Sequence, residues 1–120
     1  MAEEILHKVD VDGLLCMYGA LLTEKQREIA GLYYEEDYSL AEIAQQEGVS
    51  RQSVHDTLQR VERQLRSLEE KLGMRARHDG IEARLTDALA AIEQRNGQSA
   101  AESIQKALRL LNDEEETHGL

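Results

Sequence analysis

Residues 40–60 read LAEIAQQEGVSRQSVHDTLQR, and this stretch decides the fold of the protein. Ser39 precedes it and has Glu42 three residues later, the capping-box pattern that satisfies free backbone amides at a helix start. Gly48 can adopt the left-handed conformation that ends a helix, and Ser50 can cap the next one. The stretch therefore predicts two helices joined by a tight turn, which is the pattern of a helix-turn-helix unit.

Small and apolar residues around that turn support the same interpretation. Ala44 is small where two helices would cross closely, and Val49 and Val54 are expected to lock the helices against the core. Glu47 departs from the pattern, because such units usually carry an apolar residue there. We expect the first helix of the unit, residues 40–47, to be packed less firmly because of this departure.

Helical periodicity continues on both sides of the unit and predicts an all-α protein. The predicted helices cover residues 3–19, 24–36, 40–47, 51–72, 81–92 and 99–111. Residues 74–80 are expected to form a polar joint, and the last two helices a C-terminal hairpin that begins its second helix at a Ser99 capping box. We therefore predict a helix-turn-helix domain over residues 1–73 and a helical extension over 74–120.

The long helix carries apolar residues at alternating spacings of four and three, which is a heptad seam. Its members are Val54, Leu58, Val61, Leu65, Leu68 and Leu72. Strict seven-residue repetition implies that another helix lies alongside, and the first two members are assigned to the helix-turn-helix core. Either a second copy covers Val61, Leu65, Leu68 and Leu72 as a homodimer interface, or the segment 81–92 folds back over them. We favour the homodimer.

Composition excludes several classes of function. The 120 residues contain no glycine-rich phosphate loop, nucleophile elbow or zinc-ligand spacing, so we expect no catalysis, no cofactor, no metal and no small-molecule substrate. Cys16 is the single cysteine and is expected in the core. No run of about 18 apolar residues is present, and the first residues lack the pattern of a signal peptide, so we expect a cytoplasmic protein without a membrane partner.

The start of the long helix is the candidate nucleic-acid site, because the second helix of such a unit presents its first turns to a groove. Arginine and glutamine can read base edges, and serine can contact phosphate. The candidate residues are Ser50, Arg51, Gln52, Ser53, His55, Gln59 and Arg60. Tyr34 is expected to be exposed enough to stack on a base, with Tyr33 in the core. The net charge of −10 and Asp56 on this face oppose strong DNA binding.

Four stretches of the sequence carry a family resemblance. They are YGALLTEKQR at 18–27, LYYEEDYSLAEIA at 32–44, GVSRQSV at 48–54 and LEEKLG at 68–73. In these stretches the sequence closely resembles the YlxM family over residues 1–73, and the resemblance continues loosely to the end.

This resemblance implies a fold like the fourth region of bacterial sigma factors, and a bacterial cytosolic protein. It also implies a regulator of the signal recognition particle pathway that binds the particle's RNA, its GTPase or both, because the family is encoded beside that GTPase. The family supplies no catalytic residues. Two alternatives stay open: a sequence-specific DNA-binding transcriptional regulator, and an interaction scaffold without nucleic-acid contact.

Overall fold

The computed structural model describes residues 2–112 and shows α-helices joined by short connections, without strands in that part of the chain. The helices are α1 Ala2–Tyr18, α2 Glu24–Tyr34, α3 Leu40–Glu47, α4 Arg51–Leu72, α5 Met74–Glu93 and α6 Gly97–Leu111. A 3₁₀ turn, Gly19–Leu21, follows α1. The chain divides into two compact units, Met1–Gly73 (unit 1) and Met74–Leu120 (unit 2). The predicted all-α helix-turn-helix fold with a C-terminal helical hairpin is confirmed.

Side-chain caps set where the helices begin. Thr23 and Ser39 each accept a hydrogen bond from the backbone amide three residues later, and the side chain at that position bonds back to the cap. The last helix differs from the prediction. Asn96, rather than Ser99, is the cap: its side chain accepts from the Ser99 amide at 3.1 Å, so α6 begins at Gly97.

The core of unit 1 forms where α1, α2 and α3 pack on α4. Its largest fully buried side chains are Tyr18, Ile43, Leu65, Val11, Val54 and Val61. Polar contacts reinforce the pairing of α1 with α4: His7 Nε2 lies 2.7 Å from Glu62 Oε1, and the Tyr18 hydroxyl donates to Glu69 at 2.6 Å. The first helix, α1, therefore lies along the second half of α4.

This packing corrects the predicted dimer interface. Val61 and Leu65 are fully buried within one chain, in the same cluster as α1 residues, so they are not free to contact a second copy. Leu68 is partly buried against that cluster, and Leu72 is exposed. The heptad pattern correctly indicated that a helix lies alongside, but neither alternative considered α1, whose own apolar residues provide the cover.

Other local expectations are also wrong. Val49 is 39% exposed and does not reach the core, because Gly48 turns the chain outward before it. Cys16 is exposed. Residues 74–80 are helical rather than a polar joint: Gly73, with a φ of 61°, ends α4, and α5 begins at Met74.

Unit 2 is a hairpin of α5 and α6. The start of α5 lies beside the end of α6: a Cβ at Gly80 would be only 3.2 Å from Leu110 Cδ1. Its buried residues are small: Ala88, Ala91, Ala100 and Ala107. Alanines allow the two helices to approach closely, and several larger apolar side chains, such as Leu89 and Leu108, remain exposed.

Candidate nucleic-acid interface

Gly48 sets the angle at which α4 leaves the helix-turn-helix unit. It ends α3 in the left-handed region, with φ 69° and ψ 33°, where glycine has no Cβ penalty. Ser50 then caps α4 by accepting from the Ser53 amide at 3.0 Å. Buried Ala44 and Val54 fix the crossing of the two helices. The first two turns of α4 are consequently held at a defined orientation.

An ion pair seats α3 despite the acidic residue at its end. Lys25 Nζ on α2 binds Glu47 Oε1, and the Glu47 side chain is only 5% exposed. This hydrogen bond raises the pKa of Lys25 above its usual value of 10.5, so the ammonium is charged at neutral pH. The charged pair therefore ties α3 to α2 where an apolar contact is usual, which accounts for the departure noted in the sequence.

The outward side of α4 is polar. Val54 and Leu58 face the core, and at about 100° per residue the opposite side is the one that reaches solvent. That side carries Gln52, Asp56, Gln59, Arg60 and Arg63, all of them exposed. Arg51, Ser53 and His55 are exposed at its edges. The predicted site residues thus surround the exposed start of one helix.

Besides His55, whose Nδ1 lies 3.7 Å from Asp56 Oδ1, two of those residues already have hydrogen-bonded partners. Gln52 Nε2 donates to Asp56 Oδ1 at 2.9 Å, which holds both side chains together in the middle of the face. The Ser50 hydroxyl oxygen uses one of its two lone pairs in capping, which leaves its hydrogen and one lone pair for a ligand. Both contacts would have to be kept or exchanged when a ligand binds.

The arginines of α4 fall into two groups. Arg66 donates to Glu62 at 3.3 Å and lies 3.0 Å from Asp10, and these acidic partners raise its pKa against the opposing effect of desolvation. Arg51, Arg60 and Arg63 have no ion pair or hydrogen bond within residues 2–112. Arg63 was not among the predicted site residues. The signal was its position, one turn beyond Gln59 on the same side of the helix.

A cleft of about 220 Å³ opens beside this surface, between α4 and the helices α1 and α2. Tyr33 and Tyr34 line it with their rings at 86° and their centroids 4.9 Å apart, and Gln59 lines it from α4. Tyr34 was expected to be the exposed ring, but it is only 9% exposed. Burial, with smaller effects from Glu62 and Tyr33, raises the pKa of Tyr34 to about 12, so its hydroxyl stays protonated.

Within residues 2–112, no group of three or more histidine, cysteine or acidic residues is arranged to hold a metal ion. In the same part of the chain, no helix is both long and apolar enough to cross a membrane.

Comparison with known proteins places the chain in one family. The family described as "Putative helix-turn-helix protein, YlxM / p13 like", UPF0122, matches residues 5–109. A UPF0122 protein of Desulforamulus reducens is 40% identical over 105 residues, which is 88% of each chain. A UPF0122 protein of Symbiobacterium thermophilum is 47% identical over 96 residues, 80% of this chain and 89% of that one. No solved structure gives a significant match. Since the match spans both units, the chain belongs to the UPF0122 family of YlxM/p13-like helix-turn-helix proteins.

Proposed function

We propose that the protein binds nucleic acid, without catalysis, through the exposed start of α4. The observation that carries this proposal is the clustering of unpaired arginines on α4. Lys25 and Arg66 are held by acidic partners, whereas Arg51, Arg60 and Arg63 are exposed and unpaired within the described residues. Unpaired guanidinium groups can contact phosphate without first breaking an internal ion pair.

The overall charge limits the form that such binding takes. A net charge of −10 opposes the general attraction to phosphate, and Asp56 interrupts the basic surface at its middle. The affinity must then come from a few local contacts rather than from a long electrostatic track. This favours a ligand whose shape fits the surface.

Family membership supports a more specific ligand. We propose that the chain acts in the cytoplasm as a regulator of the signal recognition particle pathway, and that it binds the particle's RNA, its GTPase or both. The support is the resemblance to the YlxM family in residues 1–73. A compact, folded RNA also suits a small surface better than a uniform duplex does.

The test is a binding titration of the full chain with transcribed signal recognition particle RNA and, separately, with the purified GTPase. The double variant Arg60→Gln, Arg63→Gln should weaken RNA binding about tenfold and reduce the salt slope by about two, near one for each phosphate contact. Arg27→Gln makes the same kind of charge change on α2, also at an exposed and unpaired arginine, and should leave binding unchanged.

Each outcome has a distinct meaning. If neither component binds at low salt, the proposed pathway is wrong. If unrelated RNAs bind equally well and the double variant weakens them all, nucleic-acid binding stands without that pathway. If the GTPase binds the double variant as well as it binds the unmodified chain, the surface on α4 is not the relevant one, and an interaction scaffold explains the protein better.

Sequence-specific DNA binding is the second candidate function. Gln52 and Gln59 favour it, because a glutamine amide can bond to both N6 and N7 of adenine in the major groove. It predicts one duplex, recovered by selection from random sequences, that binds at least about tenfold tighter than its scrambled version. Failure to enrich any duplex would remove this candidate.

We also propose that the protein is a homodimer, now through unit 2 rather than through the seam of α4. The exposed apolar residues of the hairpin follow spacings of four and three on both helices. They are Leu85, Leu89 and Ile92 on α5, and Ile104, Leu108 and Leu111 on α6. Most of them come one position after a buried or partly buried residue, so each stripe is rotated by about 100° from the buried face of its helix. Because the two helices run in opposite directions, this rotation brings both stripes to the same side of the hairpin.

This apolar side of the hairpin can pack against the same side of a second copy, and the two hairpins would then form a four-helix bundle. Its six residues are 39–59% exposed, and burying them contributes about 6 kcal/mol per copy before the cost of association. Leu89→Asp should therefore yield the monomer mass of 13.6 kDa in sedimentation equilibrium. Leu21→Asp, at a residue of equal 59% exposure in unit 1, should remain dimeric. Leu68 and Leu72 on α4 remain proposed dimer contacts, with a smaller contribution than the six residues of the hairpin.

A further inference from the structure

The cleft beside α4 has the size and the walls of a site for one flat aromatic group. Its volume is about 220 Å³, below the range of about 300–1,000 Å³ that is usual for larger ligands. Leu40 and Leu58 supply apolar surface, and the perpendicular rings of Tyr33 and Tyr34 form an aromatic corner. Lys8 Nζ covers one face of the Tyr33 ring at 4.0 Å from its centroid, so a planar group can stack only on the remaining aromatic surface.

The polar groups of the cleft suit a heterocycle with hydrogen-bonding edges. The Tyr34 hydroxyl has no hydrogen-bond partner within residues 2–112, although this residue is 9% exposed. Gln59 has none either, and its amide offers both a donor and an acceptor. The Tyr34 hydroxyl oxygen keeps some solvent contact, so both groups can bond to an occupant of the cleft.

Charge selects among such groups. Glu62 lines the cleft as a carboxylate that accepts from His7 and Arg66, and no lysine or arginine is among the lining residues. A phosphate or another anion is therefore disfavoured inside. A ring with an exocyclic amine is favoured, because the amine can donate to the remaining acceptor capacity of Glu62 or to the Gln59 oxygen.

We propose that this cleft binds a single unpaired nucleobase bearing an exocyclic amine, such as an adenine, extruded from an RNA that contacts the start of α4. The proposal rests on the proposed function, because Gln59 and His55 belong both to the cleft and to the nucleic-acid surface. An RNA lying along that surface thus brings its bases to the mouth of the cleft. Unpaired bases that stack on aromatic side chains are the usual basis of sequence-specific RNA recognition.

The experiment compares three RNA hairpins of the same stem with the full chain: one with a bulged adenosine, one with a bulged uridine and one without a bulge. We expect the adenosine hairpin to bind at least about tenfold tighter than the unbulged one, and the uridine hairpin to lie between them, because uracil lacks the amine. Tyr34→Phe should weaken the binding of both bulged hairpins, by about three- to tenfold for one lost hydrogen bond, and leave the unbulged hairpin unchanged.

Matched variants separate the two proposals. Tyr38→Phe removes a tyrosine hydroxyl outside the cleft lining and should leave all three affinities unchanged. The double variant Arg60→Gln, Arg63→Gln should weaken all three hairpins by the same factor. Equal binding of the three hairpins to the unmodified chain would overturn the nucleobase site while leaving the nucleic-acid surface in place. No binding of any hairpin at low salt would overturn the proposed function and this inference with it.

Discussion

Replacing Leu65 by alanine tests how α1 covers the long helix. Leu65 is fully buried in the unit 1 core, so the substitution removes buried methyl groups and leaves a cavity. Leucine-to-alanine changes at such sites cost about 2–5 kcal/mol, and we expect about 3 kcal/mol here. Since domains of this size have a total stability of only about 5–10 kcal/mol, the change should be evident in any unfolding assay.

Urea unfolding followed by tyrosine fluorescence reports on unit 1 alone. All four tyrosines lie in that unit, and the chain has no tryptophan. Leu72→Ala is the matched control, because this residue of the same seam is 48% exposed and should lose less than about 1 kcal/mol. The two losses should be the same at low and high protein concentration. A loss for Leu65→Ala that grows on dilution would show that a second copy, rather than α1, covers the seam.

Three further predictions concern the turn and the polar face. Gly48→Ala should destabilise unit 1 by about 1–2 kcal/mol, because φ is 69° and the added Cβ strains the backbone without meeting any other atom. Gly31→Ala inside α2 should instead stabilise unit 1 by about 0.5–1 kcal/mol, and equal effects of the two variants in urea titrations would refute backbone strain as the cause. Asp56→Asn should tighten binding of signal recognition particle RNA by removing a negative charge from the face, and weaker binding in the same titration would indicate that Asp56 accepts from a base. Hydrogen bonds from Ser39 lower the pKa of Glu42 below its usual 4.5, so the ionised side chain stabilises the fold above pH 4.5, and this stabilisation is lost as the pH falls through the lowered pKa. Glu42→Gln should remove this loss from the dependence of unfolding stability on pH, and an unchanged dependence would contradict the prediction.

Local signals in the sequence were reliable wherever neighbouring residues decide the outcome. Ser39 with Glu42, Gly48 and Gly73 act through bonds and dihedral angles within a few residues, so the ends of α3 and α4 follow from them directly. The same reasoning failed at Ser99, because the Asn96 side chain accepts from the Ser99 backbone amide and the helix therefore begins at Gly97.

The exposure of aromatic and polar side chains could not be read from the sequence in the same way. Adjacent Tyr33 and Tyr34 differ by about 100° around α2, and only the placement of α1 and α4 shows which of them is buried. Glu47 gave the wrong expectation because its partner, Lys25, is distant in the sequence. Which arginines are paired was equally hidden, since Arg66 meets Asp10 through the packing of α1.

By itself, the sequence determined the helices of unit 1, the tight turn at Gly48 and the apolar stripe along α4, because caps, glycine dihedrals and side-chain periodicity are properties of short segments. Only the tertiary structure decided that α1 covers Val61 and Leu65, and that a cleft opens beside Gln59. The physical reason is that hydrophobic burial is not directional. An apolar stripe requires a cover, and any helix with a complementary stripe can provide it, so the choice depends on how the whole chain packs.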